Sequence, residues 1–495
     1  MNDIGRFLWL SDVHMDPYYG TPQANGHNNC TEESAPPCGR IGCDAPESLV
    51  ESATSAIHKA FAAQRIPDFV LITGDWVRHK MNLLEAPETI YPQILQTISA
   101  MLSSNLSTDG NRTASVIPTV GNNDFIPDYY LDVDDAVPAL ELFGNALDDW
   151  FLSDVERSTF RRGGYLERHV SQSLTVLSIN TVMYSMRHSP SSLDNNDPLG
   201  QFEWLRQRLQ EARDAGRHVY IVGHIPPALG SHEHEQFWEN KYLTIYYQII
   251  EPYSEAVIAA QLFGHLHSDE IRWTQGRWPL LLTSSMTPIY GCNPSFRFVD
   301  FDQVTGIPQD YHTYYLPVSN IASECLSDAW VRGPSFRDSF GLVDLSPAAF
   351  QNWIQELESN LDVPEDSHWN ALLSRHFVYS QGTLAGKDCL DVECRRQWLC
   401  SMTKTDSESY DVCFVGSVPP GRNQFQKDSW SKGKILWVAI LAGCALLAVI
   451  VLAVVIRRWH RRRHYKAHVD KEAHDAHDLH QVKTEIALPP LPEIH

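Results

Sequence analysis

Five times along this chain a short apolar run breaks into a tight turn that carries Asp, Asn or His. The turns read Ser11-Asp12-Val13-His14, Gly74-Asp75, Gly121-Asn122-Asn123-Asp124, Gly223-His224 and Gly264-His265-Leu266-His267. The runs before them, Arg6–Leu10, Asp68–Thr73, Ser115–Val120, His218–Val222 and Val257–Phe263, read as strands, as does Leu174–Ile179. Several are apolar at almost every position, which suits strands covered on both faces. Between them the spacing predicts helices at Pro46–Ala63, Ile90–Leu102 and Gln201–Ala215, the last stopping before Gly216. Strand and helix alternate, so an α/β architecture is expected. Each polar turn then falls at the carboxyl end of a strand, the edge of an α/β sheet where loops converge and ligands bind.

Taken singly, each of these residues is an ordinary polar side chain. As a set they supply carboxylate, imidazole and amide donors, the mixture a two-metal hydrolytic site requires. Burying so many ionisable groups without a cation would be costly. The formal charge is −22 over 495 residues, so no nucleic-acid-binding role is expected from the overall field. An acidic protein still takes an anionic substrate where bound metals supply local positive charge.

The C-terminal part reads differently. Ile435 to Ile456 is a continuous apolar run, long enough at ~1.5 Å per residue to cross a ~30 Å hydrocarbon core. Arg457, Arg458, Arg461, Arg462, Arg463 and Lys466 follow at once, against Lys432 and Lys434 before it. The positive-inside rule therefore expects one transmembrane helix, a cytosolic C-terminus and the large N-terminal part across the membrane. Sequons at Asn29, Asn105 and Asn111 suit that side as glycosylation sites. So do two cysteine groups, Cys30, Cys38 and Cys43, then Cys389, Cys394, Cys400 and Cys413, read as disulfides whose pairing the sequence leaves open. Zinc is the rival for the second group, but paired Cys-x-x-Cys units are missing from it. Met1 to Gly5 has neither a basic n-region nor an apolar h-region, so a truncated or processed N-terminus is expected. The expected organisation is a catalytic domain over 1–320 and a small helical, disulfide-containing lobe over 321–430 with a helix at Ala348–Asn360. The transmembrane helix at 435–456 and a disordered tail over 457–495 follow.

The five turns match the calcineurin-like metallophosphoesterase superfamily, and the resemblance covers roughly residues 6 to 300. Within it the chain resembles the acid-sphingomyelinase-like branch, and most of all fungal-type endopolyphosphatases. The closer likeness rests on Arg6-Phe7-Leu8, Asp12-x-His14-x-Asp16-Pro17-Tyr18-Tyr19 and Gly42-Cys43-Asp44-Ala45-Pro46. It extends through Thr73-Gly74-Asp75-Trp76-Val77-Arg78-His79 and Asn293-Pro294-Ser295-Phe296-Arg297.

The resemblance implies a β-sandwich flanked by helices and two divalent metal ions, with Zn, Mn, Fe or Co suited to nitrogen-rich ligation. It assigns one ion to Asp12, His14, Asp75 and His267, and the other to Asp75, Asn122, His224 and His265, with Asp75 bridging. Many members have Gly-Asn-His at the third motif, whereas this chain has Asn123, which cannot act as an acid. His79 matches a histidine placed near the substrate phosphate, so proton donation or phosphate clamping is expected there, with Asn123 and Arg78 beside the substrate. Arg78 could equally pair with a carboxylate. A phosphoanhydride oxygen leaves with little acid help, so loss of the usual histidine favours cleavage inside polyphosphate chains. The expected protein is thus a membrane-anchored endopolyphosphatase of a vacuolar or lysosome-like organelle, with its catalytic domain lumenal. The alternatives are a sphingomyelinase-like phosphodiesterase acting on lipid or nucleotide diesters, and a receptor or scaffold that inherited the fold. No expected ligand position is missing, which counts against the scaffold.

Overall fold

The computed structural model describes residues 4–26, 28–62, 66–108, 112–231, 234–318, 324–363, 366–376, 378 and 391–416. The strands among them are β1 (Ile4–Leu10), β2 (Phe69–Ile72), the short hairpin β3 (Ser107–Thr108) and β4 (Arg112–Thr113), β5 (Ser115–Pro118), β6 (Leu166–His169), β7 (Leu174–Ser178), β8 (His218–Val222), β9 (Ile258–Phe263), β10 (Glu270–Thr274), β11 (Trp278–Leu282), β12 (Ser295–Asp302), β13 (Pro308–Tyr315) and β14 (Val331–Arg332). The helices are α1 (Glu47–Ala62), α2 (Pro87–Asn105), α3 (Val137–Ala146), α4 (Asp154–Gly163), α5 (Gln201–Asp214), α6 (Asn240–Ile250), α7 (Phe336–Phe340), α8 (Pro347–Ser359), α9 (Ser367–His376), α10 (Val392–Thr403) and α11 (Ser407–Gly416).

Two mixed six-stranded sheets result, in the orders β14-β13-β12-β1-β2-β5 and β10-β11-β9-β8-β7-β6. The strands expected from apolar runs form the parallel centres of both. The outer strands β10 to β13 were not anticipated; in β10 and β12 buried ion pairs, Glu270 with Arg272 and Arg297 with Asp269, break the apolar pattern, whereas β11 is apolar throughout and runs parallel to β9. Apolar faces of the sheets meet where Phe7 stacks on Phe69 at 4.9 Å and touches Tyr220 of the other sheet at 5.8 Å. Strands β7, β9, β10 and β11 are buried at every position, as coverage on both faces demands.

Register sets the site. Leu10 lies opposite Ile72, and Ile72 opposite Pro118, so β1, β2 and β5 end at one level. Ser178 lies opposite Val222, and Val222 opposite Leu262, in the second sheet. The polar turns leave both sheets along a shared edge.

Helices α8, α9 and α10 pack on β10. Ser346 caps α8 by accepting the Ala349 N–H, Pro347 starts it, and Phe350, Trp353, Ile354 and Leu357 bury its apolar stripe. Disulfides join Cys30 to Cys43, Cys38 to Cys325 and Cys400 to Cys413, and Cys394 is also disulfide-bonded. The sequence grouped Cys38 with its early neighbours, yet its partner lies 287 residues away. Such bonds belong to an oxidising compartment. Cys292 is the one free cysteine among the described residues, and it is buried.

Among the described residues, no helix is long and apolar enough to cross a membrane. The span expected at 435–456 and the tail at 457–495 lie outside those residues, as do Cys389 and Asn111. Asn105 ends α2, with its Nδ2 donating to the Met101 carbonyl at 2.9 Å.

Candidate metal centre

The turn after β1 carries Asp12 and His14, that after β2 Asp75, and that after β5 Asn122; His224 follows β8, and His265 and His267 follow β9. Five of these seven hold left-handed backbone: Asp12 (φ 50°), His14 (43°), Asp75 (55°), His265 (75°) and His267 (60°). Non-glycine residues there cost about 1–3 kcal/mol each, and such strain clusters at functional sites. The neighbouring glycines have a steric reason. A Cβ on Gly121 would sit 2.1 Å from Asp75 Oδ1, and one on Gly264 would sit 2.1 Å from Ser11 Oγ. Only glycine lets the turns close up.

The side chains converge. Asp75 Oδ2 lies 3.3 Å from His14 Nε2 and 3.2 Å from His224 Nε2. Asp12 Oδ1 lies 3.3 Å from His267 Nε2. His224 Nε2 is also 3.0 Å from Asn122 Oδ1 and 3.3 Å from His265 Nδ1. Asp75 therefore faces two ligand groups at once. The far nitrogens are tied to backbone: His14 Nδ1 to the Val77 carbonyl at 3.0 Å, and His224 Nδ1 to that of Thr73 at 2.7 Å. That fixes which nitrogen each ring turns inward.

The donor set suits divalent cations. Ligand atoms of Asp12, His14 and Asp75 lie within 4.8 Å of one another, as do those of Asp75, His224 and His265. His14 Nε2 is buried and has no hydrogen-bond partner among the described residues, a cost that coordination would remove. Burial and then the neighbouring His224 push His265 down to about 3, and burial with His79 lowers His14. Both shifts favour the neutral ring, which has a lone pair to offer. Burial opposes charge on His224, but Asp75 outweighs it and raises that imidazole to about 9. A cation against Asp75 would replace that proton.

The other expected residues divide. His79 opens on the same cavity, its ring stacked on His14 with centroids 3.9 Å apart. Its Nδ1 is 2.8 Å from Asp44 Oδ1, and its Nε2 is 3.2 Å from the Tyr290 hydroxyl. Asn123 lines the cavity too, but its Nδ2 donates to Asp75 Oδ2 at 2.7 Å and its backbone N–H to Asp75 Oδ1 at 2.8 Å. Arg78 is not at the cavity. It is buried, and its Nη1 is taken by Asp16 Oδ1 at 3.0 Å and the Gln23 carbonyl at 2.7 Å. Of its two readings, the carboxylate pair is the observed one.

Sequence reasoning missed three supporting residues. Asp124 accepts the backbone N–H groups of Asp75, Trp76 and Gly121 at 2.9, 2.8 and 2.7 Å, stapling the second turn to the third. Asp44 holds His79, and Tyr290 covers it. Asp124 was readable as the next residue of its motif; Asp44 stood only in a motif that carried the resemblance, and Tyr290 had no signal in the sequence. The cavity beside the ligands measures about 460 Å³, and Tyr129, Arg187, Phe237, Glu270, Tyr290 and His376 line the remainder of it.

Comparison with known proteins agrees with this geometry. The family model for calcineurin-like phosphoesterases matches residues 5–269. Sphingomyelinase phosphodiesterase D of Dictyostelium discoideum is 32% identical over 289 residues, covering 57% of this chain and 62% of the relative. The chain thus spans less than two thirds of that relative's length. Human acid sphingomyelinase-like phosphodiesterase 3b is 24% identical over 438 residues, covering 83% of this chain and 90% of the relative. The mouse cyclic GMP-AMP phosphodiesterase SMPDL3A is 25% identical over 438 residues, with 83% and 92% covered. These names overturn the endopolyphosphatase expectation. The motifs that suggested it fix the metal chemistry and not the substrate, and Asn123 speaks only to how much acid help a leaving group receives. On the match over residues 5–269 and the placement of its turns, the chain belongs to the calcineurin-like phosphoesterase family.

Proposed function

We propose that this protein is a dinuclear metal-dependent phosphodiesterase of the acid-sphingomyelinase type, acting on lipid or nucleotide phosphodiesters. The observation that carries this reading is Asp75, whose Oδ2 lies within 3.3 Å of a ligand nitrogen on either side, at the floor of a 460 Å³ cavity. Asp12, His14, Asp75 and His267 would hold one divalent ion, and Asp75, Asn122, His224 and His265 the other, with Zn, Mn, Fe or Co suited to the donors. When bound, such a pair lowers the pKa of water and neutralises charge on phosphoryl oxygens.

The chain's own residues do the rest. Asp44 Oδ1 fixes the Nδ1 proton of His79, so Nε2 is the atom presented toward the cavity. Burial works against charge on His79, but Asp44 outweighs it and raises its pKa. The protonated Nε2 donates to the leaving ester oxygen. Tyr129, Phe237 and Tyr290 form aromatic walls for the organic part of the substrate. The disulfides suit a lumenal catalytic domain anchored by the 435–456 segment in a vacuolar or lysosome-like membrane.

The test is turnover of sphingomyelin and of a nucleotide diester by the purified full chain, with Zn, Mn, Fe and Co supplied in turn and inorganic polyphosphate as control. Hydrolysis of either diester supports the reading. Failure on both with every metal overturns it.

A further inference from the structure

Asn123 occupies the place where the third motif of many family members carries histidine, and its amide is doubly constrained. The backbone N–H donates to Asp75 Oδ1 and the side-chain Nδ2 donates to Asp75 Oδ2. The amide cannot be turned over, because Oδ1 would then face a carboxylate with no proton between them. The orientation leaves Oδ1 as an acceptor on a side chain that lines the cavity. Asn123 is only 4% exposed, and no described residue donates to Oδ1. A buried acceptor left without a donor is a cost to the fold.

We propose that Asn123 is a specificity-determining residue whose Oδ1 accepts a hydrogen bond from a hydroxyl or amide N–H on the organic part of a phosphodiester substrate. The phosphate itself cannot be the donor, since a diester carries no proton near neutral pH. The donor must stand on the esterified group, close to the scissile bond, because Asn123 adjoins Asn122 and grips Asp75. This deepens the phosphodiesterase reading and rests on it: it selects, among diesters, those with a hydrogen-bond donor near the phosphate. Sites built to pair a substrate donor reject analogues lacking it, because their own polar group is left unpaired.

The experiment uses three chromogenic diesters: p-nitrophenyl propyl phosphate, its 3-hydroxypropyl counterpart and its 3-acetamidopropyl counterpart. With the metal-loaded full chain, kcat/KM for the hydroxyl or the acetamido ester is expected to exceed that for the propyl ester roughly tenfold, the effect of one neutral hydrogen bond. Which arm is favoured identifies the donor. In Asn123→Ala the ratio falls to about one, while turnover of all three drops because Asp75 loses its Nδ2 partner. A purely structural role would lower the three esters in proportion and leave the ratio intact, which overturns the proposal. Should the variant fail to fold, the wild-type series decides alone: equal kcat/KM on all three overturns it. Turnover of none of them overturns this inference, and where sphingomyelin and the nucleotide diester are also left intact the phosphodiesterase reading falls with it.

Discussion

The carboxylate of Asp44 grips His79 twice, with Oδ1 2.8 Å from the ring Nδ1 and Oδ2 accepting the backbone N–H at 3.0 Å. Asn25 Nδ2 donates to the same carboxylate at 2.7 Å, so it is itself immobilised. Replacing Asp44 by Asn keeps the shape and removes the charge that raises the His79 pKa. His79 must be protonated to donate, so activity is lost as pH rises through its pKa. Asp44→Asn lowers that pKa, and the alkaline limb of kcat moves to lower pH. A fall in kcat of roughly 10²-fold is expected, the size of a general-acid contribution. An unmoved limb in a kcat–pH profile would remove His79 from the acid role.

Asp75 is the shared element of both ligand groups, and Asn is its closest isostere. In Asp75→Asn the negative charge between the two groups disappears, and an amide N–H meets the Nδ2 of Asn123. Bound divalent metal, counted by elemental analysis, is expected to fall below that of the wild type. Turnover falls by at least ~10²-fold, since even outer partners of a metal ligand are worth that much. Chelation of the wild type gives the same loss, restored by adding metal back. An Asp75→Asn protein with wild-type metal content and activity would refute the shared role.

The parallel centre of the fold was legible because β1, β2, β5, β7, β8 and β9 are buried among apolar neighbours and carry their apolar runs openly. Observed bounds differ from expected ones by a residue or two, as at β5, which stops at Pro118 and not Val120. The outer strands were hidden. Glu270 and Arg272 in β10 are charged and so break the apolar pattern that marks a buried strand, yet they form a buried ion pair. The same holds at the site. Ligand types could be read from the turns, but Tyr290 meets His79 across 211 residues and Asp44 across 35. No local pattern encodes such pairings. Arg78 shows the limit most plainly: one side chain had two equally sound partners, and only packing against Asp16 decided between them.

Glu270, on the cavity wall beyond the ligand residues, offers a test of stability. It is buried, with Oε2 2.7 Å from Arg272 Nη2, and Oε1 accepts from the Ser231 hydroxyl at 2.8 Å. Burial alone would raise its pKa, but Arg272 and His376 hold it far below the usual carboxylate range. A folded-state pKa lowered in this way adds stability at pH above the unfolded value of about 4.3, lost as pH falls below it. Glu270→Gln removes that contribution and leaves Arg272 buried without its counter-charge, at a cost of about 3–5 kcal/mol. Denaturant unfolding of the two proteins at neutral pH should show the gap. Below about pH 4 the two curves should approach each other.

Gly121 tests whether close packing of the turns, and not only ligand identity, makes the centre. A Cβ there would stand 2.1 Å from Asp75 Oδ1 and 2.4 Å from the Asp75 backbone nitrogen. The backbone atom cannot swing aside as a flexible side chain would, so Gly121→Ala must displace the turn bearing Asp75. Asp124 ties these two turns together through both backbones, so the shift spreads to Asn122 and Asn123. Loss of bound metal and a fall in turnover of ~10²-fold or more are expected. Gly144→Ala is the control: it lies inside α3, its nearest neighbour would be an ordinary 3.6 Å away, and alanine is the better helix former by about 1 kcal/mol. That variant should keep its metal and activity, with a melting temperature equal to or above the parent. Equal metal content in both variants would show that the turn tolerates the extra carbon and that the close approach at Asp75 does not shape the site.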